Sequence, residues 1–83
     1  MSEREKIIVR ALLEILKRPG MQQCDETVLY SALRDFVPEL LIGELTEATR
    51  FAERQRWITG IKGPFGNNKW SISDLGKAAL LEI

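Results

Sequence analysis

The 83 residues include 12 lysines and arginines, 12 aspartates and glutamates and no histidine, so the formal net charge is zero. With no histidine, one cysteine (Cys24) and no glycine-rich phosphate loop, the chain lacks the means for a zinc site, a Ser-His-Asp triad or imidazole acid–base chemistry, and it reads as a non-enzyme with no metal and no cofactor. At 45% hydrophobic and 29% charged residues it reads as one small globular domain over residues 1–83, without a signal-peptide core or an apolar run near the roughly 18 residues of a membrane span; this and the unpaired cysteine predict a cytoplasmic protein with no membrane role.

Ser2-Glu3-Arg4-Glu5 fits the Ser-x-x-Glu capping box, so a first helix is expected over residues 3–18, stopped by Pro19-Gly20. Its apolar residues, Ile7, Ile8, Val9, Ala11, Leu12, Leu13, Ile15 and Leu16, cover an arc of about 240°. That is wider than a surface helix needs. Either this helix is central and touched from several sides, or part of the arc is a seam in a homodimer. Met21-Gln22-Gln23 is short and suits a small strand. Asp25 is a good N-cap for a second helix over residues 25–37, and Cys24 is placed to staple onto Leu29 as a structural residue. Val28, Leu29, Ala32, Leu33 and Phe36 fall on one face of that helix, with Thr27, Tyr30, Ser31 and Arg34 on the other. Pro38 ends it.

A third helix is expected over residues 41–56. Leu41, Leu45, Ala48, Thr49 and Ala52 form its inward stripe, and Gly43, Glu47, Arg50 and Arg54 its outward strip, flanked by Thr46 and Glu53 on one side and Glu44 and Phe51 on the other. The small inward residues permit a close crossing with the second helix. At Trp57-Ile58 the period changes. Two short strand-like runs then flank Gly63, Pro64, Gly66, Asn67 and Asn68, and Ser73-Asp74-Leu75-Gly76-Lys77 starts a short last helix to about Leu81. The expected core is Ile8, Leu12, Ile15, Leu29, Leu33, Leu45, Ile58, Ile72 and Leu75.

Helix, helix, hairpin and closing helix in this order resemble the winged helix-turn-helix family. Ala48, Thr49, Ala52, Glu53, Arg56 and Ile58 match the family's pattern at the third helix and strand entry. Trp70, Ile72, Ser73, Gly76, Ala79 and Leu80 match its pattern after the wing. The family often has glycine where Arg56 sits, because the chain turns there with positive φ. The resemblance implies an α+β, mostly helical fold: a three-helix bundle with a β-hairpin wing and a short C-terminal helix.

The resemblance also implies a transcriptional regulator bound to double-stranded DNA, with the third helix in the major groove and the wing on the backbone or minor groove. The positions concerned are then Thr46, Arg50 and Arg54 on that helix, Lys62 and Lys69 flanking the wing, and Arg34 and Tyr30 holding phosphate. Trp57 to Trp70 carries no acid, which suits a phosphate partner, whereas Glu39, Glu44 and Glu47 crowd the front of the third helix. The zero net charge and that acidic front fit an alternative, a winged-helix module that binds a protein. For Arg50, Arg54 and the two lysines the plain alternative is an ordinary solvated face. Trp57 and Trp70 suit hairpin packing better than base stacking. Phe65 either folds back on the hairpin or protrudes as an anchor.

Overall fold

Local capping sets where the helices begin. The structure, a computed structural model, describes residues 2–21, 23–63 and 68–83. The Ser2 hydroxyl accepts the Glu5 N–H at 3.1 Å and starts α1 (Glu3–Lys17), whose first turn is acidic and last turn basic, as the helix dipole favours. Of its eight apolar residues only Ile7 is exposed. The wide arc is consumed inside the chain, because α1 packs against α2 (Glu26–Phe36), α3 (Ile42–Arg54), the strand β3 (Asn68–Ile72) and α4 (Asp74–Leu80).

The first strand departs from expectation. The sheet's first strand, β1, is Cys24–Asp25 rather than Met21–Gln23; Gln22 lies outside the described residues. The chain is still turning at Gly20 (φ 85°) and Gln23 (φ 59°), and the Met21 N–H closes a turn onto the Arg18 carbonyl. Only at Cys24 is it extended enough to pair. Asp25 ends the strand and at once caps α2, its Oδ1 accepting the Val28 N–H at 2.9 Å.

The inward face of α2 is narrower than expected. Leu29 and Leu33 are buried, but Val28 and Phe36 are exposed; Tyr30 packs partly against the core, and the Phe36 ring lies 4.9 Å from the Arg18 guanidinium. A further correction falls at the start of α3. Glu39 takes a left-handed backbone (φ 63°), which sends Leu40 into the core and leaves Leu41, the N-cap residue, 67% exposed. Leu45, Ala48, Thr49 and Ala52 are buried as expected.

After α3 the chain turns through Arg56 in the left-handed region (φ 62°), the conformation for which glycine is the usual solution. β2 (Ile58–Lys62) and β3 pair antiparallel, with Ile58 opposite Ile72, Gly60 opposite Trp70 and Lys62 opposite Asn68. β1 pairs with β3 on its other side, Cys24 opposite Trp70, giving the order β1-β3-β2. Gly60 lets the buried Trp70 indole lie flat against the opposite backbone, since a Cβ there would sit 2.7 Å from the ring. Trp57 meets Phe51 edge-on with centroids 5.6 Å apart, so both tryptophans serve packing.

The Ser73 hydroxyl accepts the Gly76 N–H at 3.1 Å and reaches the Trp57 carbonyl at 2.9 Å, fastening α4 to the turn after α3. Gly76 is buried there, where any Cβ would collide with the Trp57 carbonyl oxygen. Leu75, expected in the core, is 58% exposed, because the contact made by the first turn of α4 is the Gly76 backbone itself; Ile72 is half-buried against the core.

Candidate nucleic-acid interface

Arg50 and Arg54 both stand exposed on the outward strip of α3, one turn apart. Glu47 approaches Arg50 at 3.9 Å, with both side chains about 70% exposed, a pairing worth tenths of a kcal/mol at most. Among the described residues Arg54 makes no ion pair. Thr46, half-buried on the flank, donates its hydroxyl to the Ile42 carbonyl at 3.1 Å.

The acidic front of α3 differs from what its charges suggest. The Glu44 carboxylate accepts the Arg4 guanidinium in a two-pronged contact, 2.6 Å from Nε and 3.0 Å from Nη2, and also takes the Leu41 N–H at 3.0 Å. Hydrogen bonding from Arg4, then that from the Leu41 backbone, holds its pKa down at about 2, against an ordinary 4.5. The same contact raises the Arg4 pKa. Glu44 is therefore an internally neutralised cap that ties the start of α1 to the start of α3, and it presents little free charge to a phosphate. Glu39 and Glu47 remain as exposed acids. Arg4 gave no signal in the sequence, since a partner 40 residues away is not a local pattern.

The two wing lysines are both exposed but not side by side. Lys69 is opposite Ile61 on one face of the hairpin, and Lys62 opposite Asn68 on the other. Lys69 also stands across from Asp25 in the central strand, whereas Lys62 ends the edge strand. On α2, the Arg34 guanidinium lies 5.7 Å from the Tyr30 ring centroid, and the Tyr30 hydroxyl donates to the Leu40 carbonyl at 2.8 Å. Tyr30 thus helps hold the turn before α3, and only its oxygen lone pair is left for another donor. The structure brings Thr46, Arg50 and Arg54 together on one helix and Tyr30 with Arg34 on another. Phe65 lies outside the described residues.

Sequence reasoning missed two exposed apolar side chains at the front of α3, Leu41 and Ile42, the latter 56% exposed. A groove of about 530 Å³ runs between α1 and α3 along the Arg4–Glu44 side. Among the described residues no cluster of three metal-ligating side chains occurs, and no helix is long and apolar enough to cross a membrane. Cys24 is buried, and burial with the nearby Asp25 raises its thiol pKa, as for a packing residue rather than a nucleophile.

No protein-family model matches the chain, and no curated protein matches it. Among solved structures it is similar to the ferric uptake regulator (Fur) of Vibrio cholerae, whose crystal structure is described as revealing a rearrangement of that protein's DNA-binding domains. The TM-score is 0.72 at 19% identity, over 81% of this chain and 51% of that one, so this chain spans about half the length of the Fur chain. A likeness at that identity speaks to architecture alone. Four helices, a small antiparallel sheet and this likeness agree that the chain has the winged helix-turn-helix fold, α+β and mostly helical.

Proposed function

We propose that this protein is a winged-helix DNA-binding regulator that grips duplex DNA with α3 and the wing. The observation that carries this reading is the outward strip of α3, where Arg50 and Arg54 stand exposed, with Glu47 and Glu53 exposed beside them and Glu44, at the front of the helix, neutralised by Arg4. The likeness to a chain with DNA-binding domains supports it. In this reading α3 enters the major groove, with Thr46, Arg50 and Arg54 toward base edges and phosphates. The wing lies between two backbones with Lys62 reaching one and Lys69 the other, which suits their opposite faces. Arg34, steadied on the Tyr30 ring, holds phosphate at the flank.

Binding to duplex DNA across a salt series tests this. We expect a steep loss of affinity with salt, and a double Lys62→Ala, Lys69→Ala change that weakens binding to every sequence and flattens the slope by about two units. Glu47→Gln tightens binding, since it removes an exposed acid beside Arg50. No binding at low salt, or an unchanged slope in the double variant, sinks the assignment. The balance of 12 basic and 12 acidic residues favours a second reading, a module that docks on a protein; it predicts salt-insensitive binding and no affinity for duplex DNA.

A further inference from the structure

Where the end of α1 meets β3 and α4 there is a cavity of about 230 Å³, lined by Leu16, Lys17, Gln23, Ser71, Ile72 and Lys77. Two cations from separate helices line it, and no acid does. Among the described residues neither lysine makes an ion pair. Glu14, one turn before Lys17, is bound to Arg10 at 3.6 Å; Asp74, one turn before Lys77, neither pairs with it nor lines the cavity. A lysine in the last turn of a helix complements the helix dipole, and each of these does so on its own helix. The dipole gives no reason for both to open on one cavity, where each ammonium repels the other.

The neutral lining is of the same kind. Cys24 lies opposite Trp70 in the antiparallel register, which brings Gln23, exposed and with a left-handed backbone, alongside Ser71. Its amide carries two N–H donors. The Ser71 and Thr59 hydroxyls share one hydrogen bond at 3.0 Å, so of their two protons one is left to donate outward. Cations and donors with no carboxylate among them match an oxyanion. Charge selects its class: a carboxylate cancels one lysine, whereas a phosphate monoester, near −2 at neutral pH, cancels both.

We propose that this cavity binds a small phosphate monoester, with Lys17 and Lys77 on its phosphate oxygens and Gln23 and Ser71 as the neutral donors. The volume lies below the roughly 300 Å³ at which pockets for drug-sized ligands begin, so the occupant is small. Its source is a free molecule rather than a nucleic-acid backbone, because no residue of α3 lines the cavity, and neither does Lys62 or Lys69. Ile72, half-buried, gives the wall an apolar patch for a short carbon chain behind the phosphate.

Methyl phosphate and inorganic phosphate, titrated into the whole protein at constant ionic strength and followed by amide NMR, test this. We expect saturable shifts centred on Lys17, Gln23, Ser71 and Lys77. Lys17→Gln or Lys77→Gln alone should weaken binding up to about fivefold, the worth of one exposed ionic contact, and the double variant should show no saturable shifts. Both lysines are exposed, so a thermal melt should show the variants folded. Shifts that spread over Lys62, Lys69 and the other basic residues without saturating, or binding that survives the double change, overturn the proposal. Duplex DNA is the control for the source. Duplex binding unchanged in the double variant supports a free ligand. A salt slope flattened by about two units there, with no saturable methyl phosphate binding in the native protein, makes the DNA backbone the source and overturns the small-molecule assignment.

Discussion

Arg56 holds a left-handed backbone at a turn that glycine would occupy without steric cost. Arg56→Gly should therefore raise stability by about 0.5–1 kcal/mol, strain relief outweighing the extra freedom of the unfolded chain, whereas Arg56→Ala keeps its Cβ and should gain nothing. Urea midpoints at constant slope compare the three proteins. Glu44 gives a prediction in pH. Its folded pKa, about 2, lies below the ordinary 4.5, so its stabilisation is complete above pH 4.5 and is lost as pH falls toward 2. The stability difference between the native protein and Glu44→Gln should be widest above pH 4.5 and close over that window; a gap that stays constant with pH would mean the Arg4 contact is not held in solution. Ser2 and Asp25 as caps, and Arg56 as the residue in a glycine's place, were legible in the sequence because each depends on neighbours within a turn. Leu41 was not. Whether it faces inward depends on where α3 starts, and that depends on the φ of Glu39.

Helices were legible as elements because apolar spacing, caps and prolines all act locally; α1, α2 and α3 begin and end within two residues of expectation. β1 was not, since two residues carry no period and Cys24–Asp25 is a strand only because β3 lies beside it. The hairpin faces likewise follow from register, which places Lys62 and Lys69, flanking the wing, on opposite sides. α4 offers the sharpest test of an element's seat. In an exposed helix Gly→Ala stabilises by about 1 kcal/mol. At Gly76 the added methyl meets the Trp57 carbonyl, so Gly76→Ala should instead destabilise by about 2–3 kcal/mol. Thermal unfolding reads the sign directly, as a fall of roughly 10 °C or more.

For the molecule as a whole, the question raised by the wide arc of α1 is answered by four neighbouring elements packed on it, which leave only Ile7 outside. With the arc of α1 used inside the chain, sedimentation at micromolar concentration reads the oligomeric state: a strict monomer removes the homodimer, and a dimer dissolved by Leu75→Glu places the seam at the exposed Leu75 of α4 and Leu81 at its C-cap. The likeness in fold was readable from the order of elements, whereas the placement of an interface needed the geometry, because exposure at Leu41 and neutralisation at Glu44 both join parts of the chain far apart in sequence. One pairing also sets a clock. Cys24 finds its partner strand only at Trp70, and a ribosome adding about 5–20 residues per second takes several seconds to travel between them. By the end of that interval the nascent chain has the residues of all three bundle helices but no sheet, and the thiol that the finished molecule buries still lacks its partner strand.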